Sequence, residues 1–320
     1  MPEWFVERGI GETRAALLDD GGIIEAYVEL NGTAPAGTVL PARLANIGTK
    51  GRNAIAIAEG GAEYLLPRGA PGAAQGQNVT IEVSRTQIPG AESWKRPLAR
   101  ITDKQPNVLA PLETRLGGQL AAFPAPSDAL EGWDDLIDEA RTGIVTFAGG
   151  ELRISPTPAM TLIDVDGFLP PEELAVLGAA EAAKAVRRLD IGGSIGIDLP
   201  TVKGKGARQA AAEALDSILP QPFERTAVSG FGFVQLVRPR LRASLIELAQ
   251  DRARFEARAL LRRAAFEEPG SKRLVAHPAV IAVLESHGDW LDALSLQAGG
   301  AIGLRAEPTL PISGGYAEAA

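Results

Sequence analysis

The chain contains no cysteine, and this absence removes several kinds of chemistry at once. Disulfide bonds, cysteine-ligated zinc sites and cysteine nucleophiles are all excluded. Histidine is scarce too: there are only His277 and His287, and no Ser–His–Asp arrangement is visible. His277 precedes a proline and His287 precedes a glycine, so both are predicted to lie at helix ends, in capping or surface roles.

Long apolar runs are also missing. No segment approaches the ~20 apolar residues of a membrane helix, and the opening MPEWFVERGIGE has no signal-peptide core. Hydrophobic residues nevertheless make up 45% of the 320 residues, which is typical of a folded globular protein. We therefore expect a soluble cytoplasmic protein of more than one domain, with no membrane partner.

Positive charge is in deficit over the whole chain. The formal net charge of −8 argues against a general nucleic-acid binder. Residues 181–263, however, hold fifteen lysines and arginines against nine aspartates and glutamates, a local +6 that leaves −14 elsewhere. A basic region in an acidic protein fits selective contact with a polyanion, and a set of solvated helix faces is the alternative.

Short β-like segments dominate the first third of the chain. Residues 3–30 predict two strands joined by a tight turn at Asp19-Asp20-Gly21-Gly22. Residues 35–102 hold several short strands separated by glycine, proline and asparagine, which is typical of a small β-barrel or sandwich. Residues 104–130 have weak periodicity and predict an irregular connection.

Strands and helices alternate in the second half. Strands are predicted in GIVTF, ELRIS, TLIDVDG and GGSIGIDLP, and helices over 133–141, 171–188, 205–219 and 241–266. The order strand, helix, strand from 160 to 200 predicts a βαβ unit with a parallel strand pair. A short α/β tail follows, so the predicted fold class is α/β, in the form of an α+β multidomain chain.

The stretch MTLIDVDG carries two aspartates, Asp164 and Asp166, on a predicted strand. Side chains two positions apart share one face of a strand, and unpaired like charges there are unfavourable. Asp198 ends the next predicted strand, and the carboxyl ends of neighbouring parallel strands meet at one edge. Carboxylates without histidine or cysteine suit Mg²⁺ or Mn²⁺, not zinc. Strand-end or helix-capping aspartates are the alternative.

Two basic clusters follow the aspartates. VKGKGAR is rich in glycine and could approach a phosphodiester backbone closely, or it is a flexible surface loop. LVRPRLR would present guanidinium groups on one face of an extended segment, or it is a solvated strand end. The candidates for phosphate contact are Lys203, Lys205, Arg208, Arg238, Arg240 and Arg242.

Four segments resemble the ribonuclease E/G family, in the order found there: ETRAALLDDGGIIEAYVE, PTPAMTLIDVDG, AAKAVRRLDIGGSIGIDLPTV and SGFGFVQLVRPRLRASL. The resemblance spans nearly the whole chain and is most specific over 155–245. It implies a ribonuclease H-like part with an inserted S1-like barrel, a catalytic metal-binding domain, and a C-terminal helix with a small α/β domain. The corresponding ranges are 1–34 and 104–150, 35–103, 151–245 and 246–320.

The resemblance also implies an activity: Mg²⁺-dependent endonucleolytic cleavage of single-stranded RNA that leaves 5′-phosphate and 3′-hydroxyl ends. Asp164 and Asp198 resemble the two metal-binding aspartates of the family. Asp166 stands where the best-known members have an asparagine that helps to position the scissile phosphate.

The chain departs from the family in three ways. The cysteine-containing zinc link is absent, so any homo-oligomer would not be zinc-linked. The span after the barrel is short, and the sensor for a 5′-monophosphate is not matched. The barrel segment has Ile55 and Ile57 where aromatic platforms are expected, which leaves Tyr64, Trp94 and Lys95 as RNA contacts. We expect weaker RNA binding and less 5′-end dependence, and an RNA-binding or regulatory protein without efficient cleavage is the rival hypothesis.

Overall fold

The computed structural model describes residues 1–48, 53–89, 95–124, 130 and 132–320. The strands are β1 (Glu3–Arg8), β2 (Glu12–Asp19), β3 (Gly22–Leu30), β4 (Val39–Asn46), β5 (Ala54–Ala58), β6 (Glu63–Leu66), β7 (Asn78–Arg85), β8 (Leu98–Ile101), β9 (Gln119–Ala121), β10 (Ile144–Phe147), β11 (Gly150–Pro156), β12 (Thr161–Gly167), β13 (Gly193–Asp198), β14 (Glu224–Arg225), β15 (Phe233–Arg238), β16 (Lys272–Ala276), β17 (Ile302–Ala306) and β18 (Tyr316–Ala319). The helices are α1 (Leu112–Leu116), α2 (Trp133–Thr142), α3 (Pro171–Arg188), α4 (Lys205–Ile218), α5 (Leu245–Gln250), α6 (Arg252–Phe266), α7 (Pro278–Glu285) and α8 (Gly288–Ala298). The predicted mixed α/β class is confirmed.

The chain divides into two compact units. Unit 1 contains residues 1–31, 112–134 and 248–320, and unit 2 contains residues 32–111 and 135–247. Unit 1 holds a four-stranded sheet of order β3-β2-β1-β9 and a three-stranded sheet of order β17-β16-β18. Unit 2 holds a closed barrel of order β4-β5-β6-β8-β7 and a six-stranded sheet of order β10-β11-β12-β13-β15-β14.

Buried charges connect the first strands of unit 1 with its helix α6. The Arg14 guanidinium pairs with Glu7 at 2.6 Å and with Glu12 at 2.7 Å. Arg258 and Arg262, both on α6, pair with Glu12 at 2.6 Å and with Glu7 at 3.1 Å. The glutamates and Arg14 are almost fully buried, and removal of one partner from such a cluster leaves an uncompensated charge.

The barrel of unit 2 confirms the predicted small β-barrel, and its interior depends on small residues. Ala54 and Ala56 of β5 are fully buried. Tyr64 of β6 is the register partner of Ala56 and is only 5% exposed. Because the alanines leave space inside, the tyrosine ring fills the barrel core, and burial raises the pKa of the Tyr64 hydroxyl.

The six-stranded sheet of unit 2 has one packed face and one open face. β12 and β13 pair in parallel with α3 between them in the chain, so the predicted parallel pair is confirmed. Ile163, Val165 and Ile195 point to the packed side and are almost fully buried. Leu162 and Val237, on the other side, are 40% and 50% exposed. The face of the sheet opposite the packed one is therefore exposed to solvent.

The predicted long helix over 241–266 is wrong, because the chain forms two helices there. The first helix, α5, begins only after Ser244, whose hydroxyl accepts from the Glu247 N–H at 3.2 Å while the Ser244 N–H donates to the Glu247 carboxylate at 2.9 Å. The second, α6, begins after Asp251, whose carboxylate accepts from the Arg254 N–H at 3.4 Å.

The two histidines lie at helix starts. Nδ1 of His277 accepts a hydrogen bond from the Ala279 N–H at 3.1 Å and caps α7, which confirms a capping role. His287 precedes α8, and its ring stacks on Trp290 with centroids 4.0 Å apart. Among the described residues, no helix is both long and apolar enough to cross a lipid bilayer.

Candidate metal centre

Three carboxylates lie at the carboxyl ends of two neighbouring strands. Asp164 of β12 and Asp198 of β13 are register partners in the parallel pair, and Asp166 lies two positions further along β12. Neighbouring strands are ~4.8 Å apart. Ile163 and Val165 alternate with the aspartates of β12 and are buried, whereas all three aspartates are exposed. The carboxylates of Asp164 and Asp198 therefore stand side by side on the open face.

Two helices start beside the same edge of the sheet. α3 begins at Pro171, a few residues after β12 ends, and α4 begins at Lys205, a few residues after β13 ends. A helix carries partial positive charge at its amino end, and in α3 two acidic residues of the first turn, Glu172 and Glu173, already lie at that end.

The pKa of Asp164 is raised above its ordinary value, so the ionised form of this carboxyl group is less favourable here than in water. Partial desolvation raises this pKa, and the nearby charges of Asp166 and Asp198 raise it further. The cation Arg153, the register partner of Asp164 on β11, acts in the opposite direction and does not compensate fully. A cluster of carboxylates in this state gains free energy when a cation binds to it.

The candidate donor set consists of two carboxylates in register, Asp164 and Asp198. In the described parts of the chain, no three His, Cys, Asp or Glu side chains are arranged to hold a metal ion together. Mg²⁺ is usually held by one or two carboxylates and keeps waters and substrate phosphate oxygens as its other ligands. Asp164 and Asp198 fit that requirement, and the absence of cysteine leaves no thiolate site for zinc.

The loop after β13 carries the first basic cluster. The Arg208 guanidinium turns back and donates to the carbonyl groups of Val202 at 3.0 Å and Lys203 at 3.2 Å. Lys203 and Lys205 are exposed, and neither has a carboxylate partner among the described residues. The arginine thus fixes the loop, and the two lysines remain available to an anion beside Asp198.

The second basic cluster lies elsewhere, which corrects its assignment as an open row of phosphate contacts. Arg238 pairs in register with Gly193, five residues along β13 from Asp198, or roughly 17 Å away. Its guanidinium donates to the carbonyl groups of Val186 at 3.3 Å and Ile191 at 3.0 Å. This arginine therefore holds the carboxyl end of α3.

The other two arginines of that cluster are engaged with carboxylates. Arg240 pairs with Glu247, and Arg242 pairs with Asp190 at 2.6 Å. These ion pairs bind the segment after β15 to the rest of unit 2. Arg240 and Arg242 therefore stabilise the structure of unit 2, and their predicted role as RNA contacts is wrong.

The barrel gives little support to the three contacts predicted there. Tyr64 is buried in the barrel core, so its assignment as a stacking platform is wrong. Trp94 lies outside the described residues, and Lys95 is half-buried. The barrel surface has an open groove of about 680 Å³ beside β4 and β5, lined in part by Arg43 and Ile57.

Three phenylalanines near the carboxylates were missed by the sequence analysis. Phe168 follows β12 and Phe231 precedes β15, and they are 85% and 83% exposed. Phe233 is the register partner of Asp198, and its ring lies directly against Gly196. The segments DGF and SGFGF were visible in the sequence, but only the strand order shows that they meet at one edge.

No protein-family model matches this chain, and no curated protein matches it either.

Proposed function

We propose that this protein is a metal-dependent endoribonuclease that cleaves single-stranded RNA and leaves 5′-phosphate and 3′-hydroxyl ends. The observation that carries the proposal is the register pairing of Asp164 with Asp198 at the carboxyl ends of adjacent parallel strands. The resemblance of the segments around these aspartates to the ribonuclease E/G family supports the same activity. On this proposal the barrel is S1-like and is inserted in a ribonuclease H-like part.

The residues around this edge of the sheet bind two different partners, the metal ion and the RNA backbone. Asp164 and Asp198 hold Mg²⁺, or Mn²⁺ in its place. When bound, the ion supplies charge neutralisation at the phosphodiester and lowers the pKa of the attacking water. Lys203 and Lys205 bind the flanking phosphates of the RNA backbone, because they are exposed on the loop that leaves the Asp198 strand.

Asp166 positions the reacting groups and is not a metal ligand. It lies one pleat beyond Asp164 on the same face, opposite Glu151 in the β11 register. From there its carboxylate would accept a hydrogen bond from the attacking water. An asparagine at this position would keep the acceptor and remove the charge.

A cleavage assay tests the proposal. Labelled single-stranded RNA is incubated with wild type in Mg²⁺, with wild type in EDTA, and with Asp198→Asn in Mg²⁺. We expect cleavage only in the first case and a rate loss on the order of a hundredfold or more in the variant. The products of wild type should carry 5′-phosphate ends.

A matched control distinguishes loss of the metal site from a non-specific effect of replacing an aspartate by asparagine. Asp20 lies in the turn between β2 and β3 with φ 48°, a conformation that asparagine tolerates well. Asp20→Asn makes the same chemical change far along the chain from the carboxylate pair and should cleave like wild type. Cleavage that survives both EDTA and Asp198→Asn would refute the metal-dependent mechanism.

An RNA-binding protein without efficient cleavage is the second candidate function. The observation that favours it is the two-carboxylate donor set, since no third acidic ligand joins Asp164 and Asp198 in the described residues. This candidate predicts RNA binding that is unaffected by Asp198→Asn and no Mg²⁺-dependent products. Steeply salt-dependent binding is expected from both candidates and does not separate them.

A further inference from the structure

Two exposed aromatic rings stand on either side of the carboxylate edge. In the sheet order, β13 with Asp198 lies between β12 and β15. Phe168 leaves the carboxyl end of β12, and Phe231 enters β15. Because β15 runs antiparallel to β13, its beginning lies at the same edge as the end of β13. A ligand that covers these two rings, which are 85% and 83% exposed, would gain free energy from the apolar surface removed from water.

The turn that carries Phe231 is held in one conformation. The Ser229 hydroxyl accepts from the Phe231 N–H at 3.3 Å and from the Phe233 N–H at 3.1 Å. Gly232 has φ 93°, and a Cβ there would lie 2.1 Å from the Leu199 carbonyl oxygen. The turn is thus packed against the residue that follows Asp198, and it displays the Phe231 ring to solvent.

The segment that carries Phe168 is equally fixed. Its N–H donates to the Gly149 carbonyl at 3.1 Å. A Cβ on the preceding Gly167 would lie 2.3 Å from the same oxygen and 2.9 Å from Leu174 of α3. The backbone is therefore closely packed on the side of the protein, while the ring of Phe168 points away from it.

We propose that Phe168 and Phe231 stack on the bases of single-stranded RNA to either side of the phosphate that a metal ion at Asp164 and Asp198 would bind. This inference rests on the proposed function. Every base has an aromatic face, so such a clamp is tolerant of sequence and would serve in place of aromatic platforms at Ile55 and Ile57 of the barrel. It favours unpaired RNA, because bases inside a duplex cannot stack on a side chain.

Charge on the same surface disfavours a second copy of the chain as the occupant, whereas the metal ion of the proposed function would offset the carboxylates for RNA. The area between the two rings carries Asp164, Asp166 and Asp198, all exposed. A two-fold contact would place these carboxylates against the same carboxylates of the other copy, which is unfavourable. Lys203 and Lys205 next to the area attract phosphates instead.

Equilibrium binding of RNA tests the clamp without cleavage, first in EDTA and then in Mg²⁺ with Asp198→Asn as the parent protein in place of wild type. The second condition is needed because metal-free carboxylates repel the RNA backbone. The probe is a fluorescently labelled single-stranded oligouridylate, compared with an abasic strand of the same length. Phe231→Ala and Phe168→Ala should each weaken oligouridylate binding about tenfold, as expected for the loss of one stacked base. Phe231→Trp should retain it. On the abasic strand the alanine variants should equal wild type, which a purely structural effect would not produce.

Leu296→Ala is the control, since Leu296 is 87% exposed on α8 and should leave binding unchanged. Alanine variants that bind oligouridylate like their parent, or a parent that does not bind it under either condition, would overturn the clamp. A wild-type dimer that Phe231→Ala converts to monomer in sedimentation would overturn it as well.

A parallel cleavage assay in Mg²⁺ separates the two proposals. Metal-dependent cleavage together with unchanged RNA binding by the alanine variants removes the clamp and keeps the nuclease. Base-dependent binding loss without any cleavage keeps the clamp and removes the nuclease.

Discussion

Two carboxylates placed opposite each other on adjacent strands repel each other and lower the stability of the metal-free protein. The pKa of Asp164 is raised chiefly by partial desolvation, and the charges of Asp166 and Asp198 raise it further. Residues that serve only the fold would be expected to avoid such a pair. Its presence at the strand ends of an otherwise well-packed sheet is the strongest reason to assign the edge to a cation.

Asp164→Asn is predicted to stabilise the protein in EDTA and to abolish its stabilisation by Mg²⁺. Loss of one charge relieves the repulsion by Asp166 and Asp198, which is worth about 0.5 kcal/mol for like charges on neighbouring strands. Wild type should gain unfolding free energy as Mg²⁺ is added, because the ion binds only the folded state. Urea unfolding with and without Mg²⁺ measures both effects.

Asp20→Asn serves as the control here too, because it changes the same charge in an exposed turn. It should change neither the stability in EDTA nor the gain from Mg²⁺. Equal stabilisation of wild type and Asp164→Asn by Mg²⁺ would show that Asp164 does not hold the ion.

Individual residues were predictable from the sequence where a local pattern decides their position. Alternation in TLIDVDG was sufficient to place Asp164 and Asp166 on one face of a strand. Tyr64 was not predictable, because its direction depends on the barrel register that pairs it with Ala56. Arg238 was misassigned for the same reason, since its distance from Asp198 follows from the register of β13 with β15.

At the level of elements, the position of β12 depends on how closely α3 approaches it. Gly178 lies in the middle of α3, and a Cβ there would be 2.3 Å from Cγ1 of Val165. Val165 lies between the two aspartates of β12 on the opposite face. The glycine thus permits the contact that supports the strand from behind.

Gly178→Ala is predicted to destabilise unit 2 by about 1–2 kcal/mol. Helix propensity alone would favour alanine by about 1 kcal/mol. Overpacking of a tight contact costs about 1–3 kcal/mol, and here it dominates because the neighbour is a branched core side chain. Gly206→Ala in α4 is the matched control, because a Cβ there meets nothing within 4 Å and should be neutral or stabilising. A stabilised Gly178→Ala protein in urea unfolding would contradict this packing argument.

The start of α5 was encoded in the sequence by a local capping pattern, although apolar periodicity predicted a single helix there. The pattern Ser244-x-x-Glu247 is a capping box, and it fixes the start of α5. The apolar periodicity over 241–266 runs across this signal and across Asp251, so periodicity alone merges two helices into one. The parallel pairing of β12 and β13 was predictable, because a strand, a helix and a strand in succession permit few other arrangements.

On the scale of the whole molecule, the first and last parts of the chain belong to the same unit. No local pattern predicts that α6 supplies Arg258 and Arg262 to the glutamates of β1 and β2. The cluster exists only when segments about 250 positions apart are folded together. Its charges therefore couple the stability of unit 1 to pH.

Glu12 is predicted to make the unfolding of unit 1 sensitive to acid. Burial by itself raises its pKa, but the charges and hydrogen bonds of Arg14 and Arg258 outweigh burial and hold the pKa of Glu12 below its ordinary value. A carboxylate with a depressed folded-state pKa contributes stability that is fully present above its unfolded pKa, about 4.3. That contribution is lost as the pH falls through the folded-state pKa.

Tryptophan fluorescence can follow this loss, because Trp4, Trp133 and Trp290 all lie in unit 1. The unfolding free energy from urea titrations should fall steeply below about pH 4 in wild type. Glu12→Gln should lower the stability at neutral pH by about 3–5 kcal/mol, since it leaves the buried arginines short of a partner. The same variant should also show a flatter dependence below pH 4, because the titrating group is gone. A variant with the wild-type acid slope would mean that other carboxylates, and not Glu12, control the acid unfolding of unit 1.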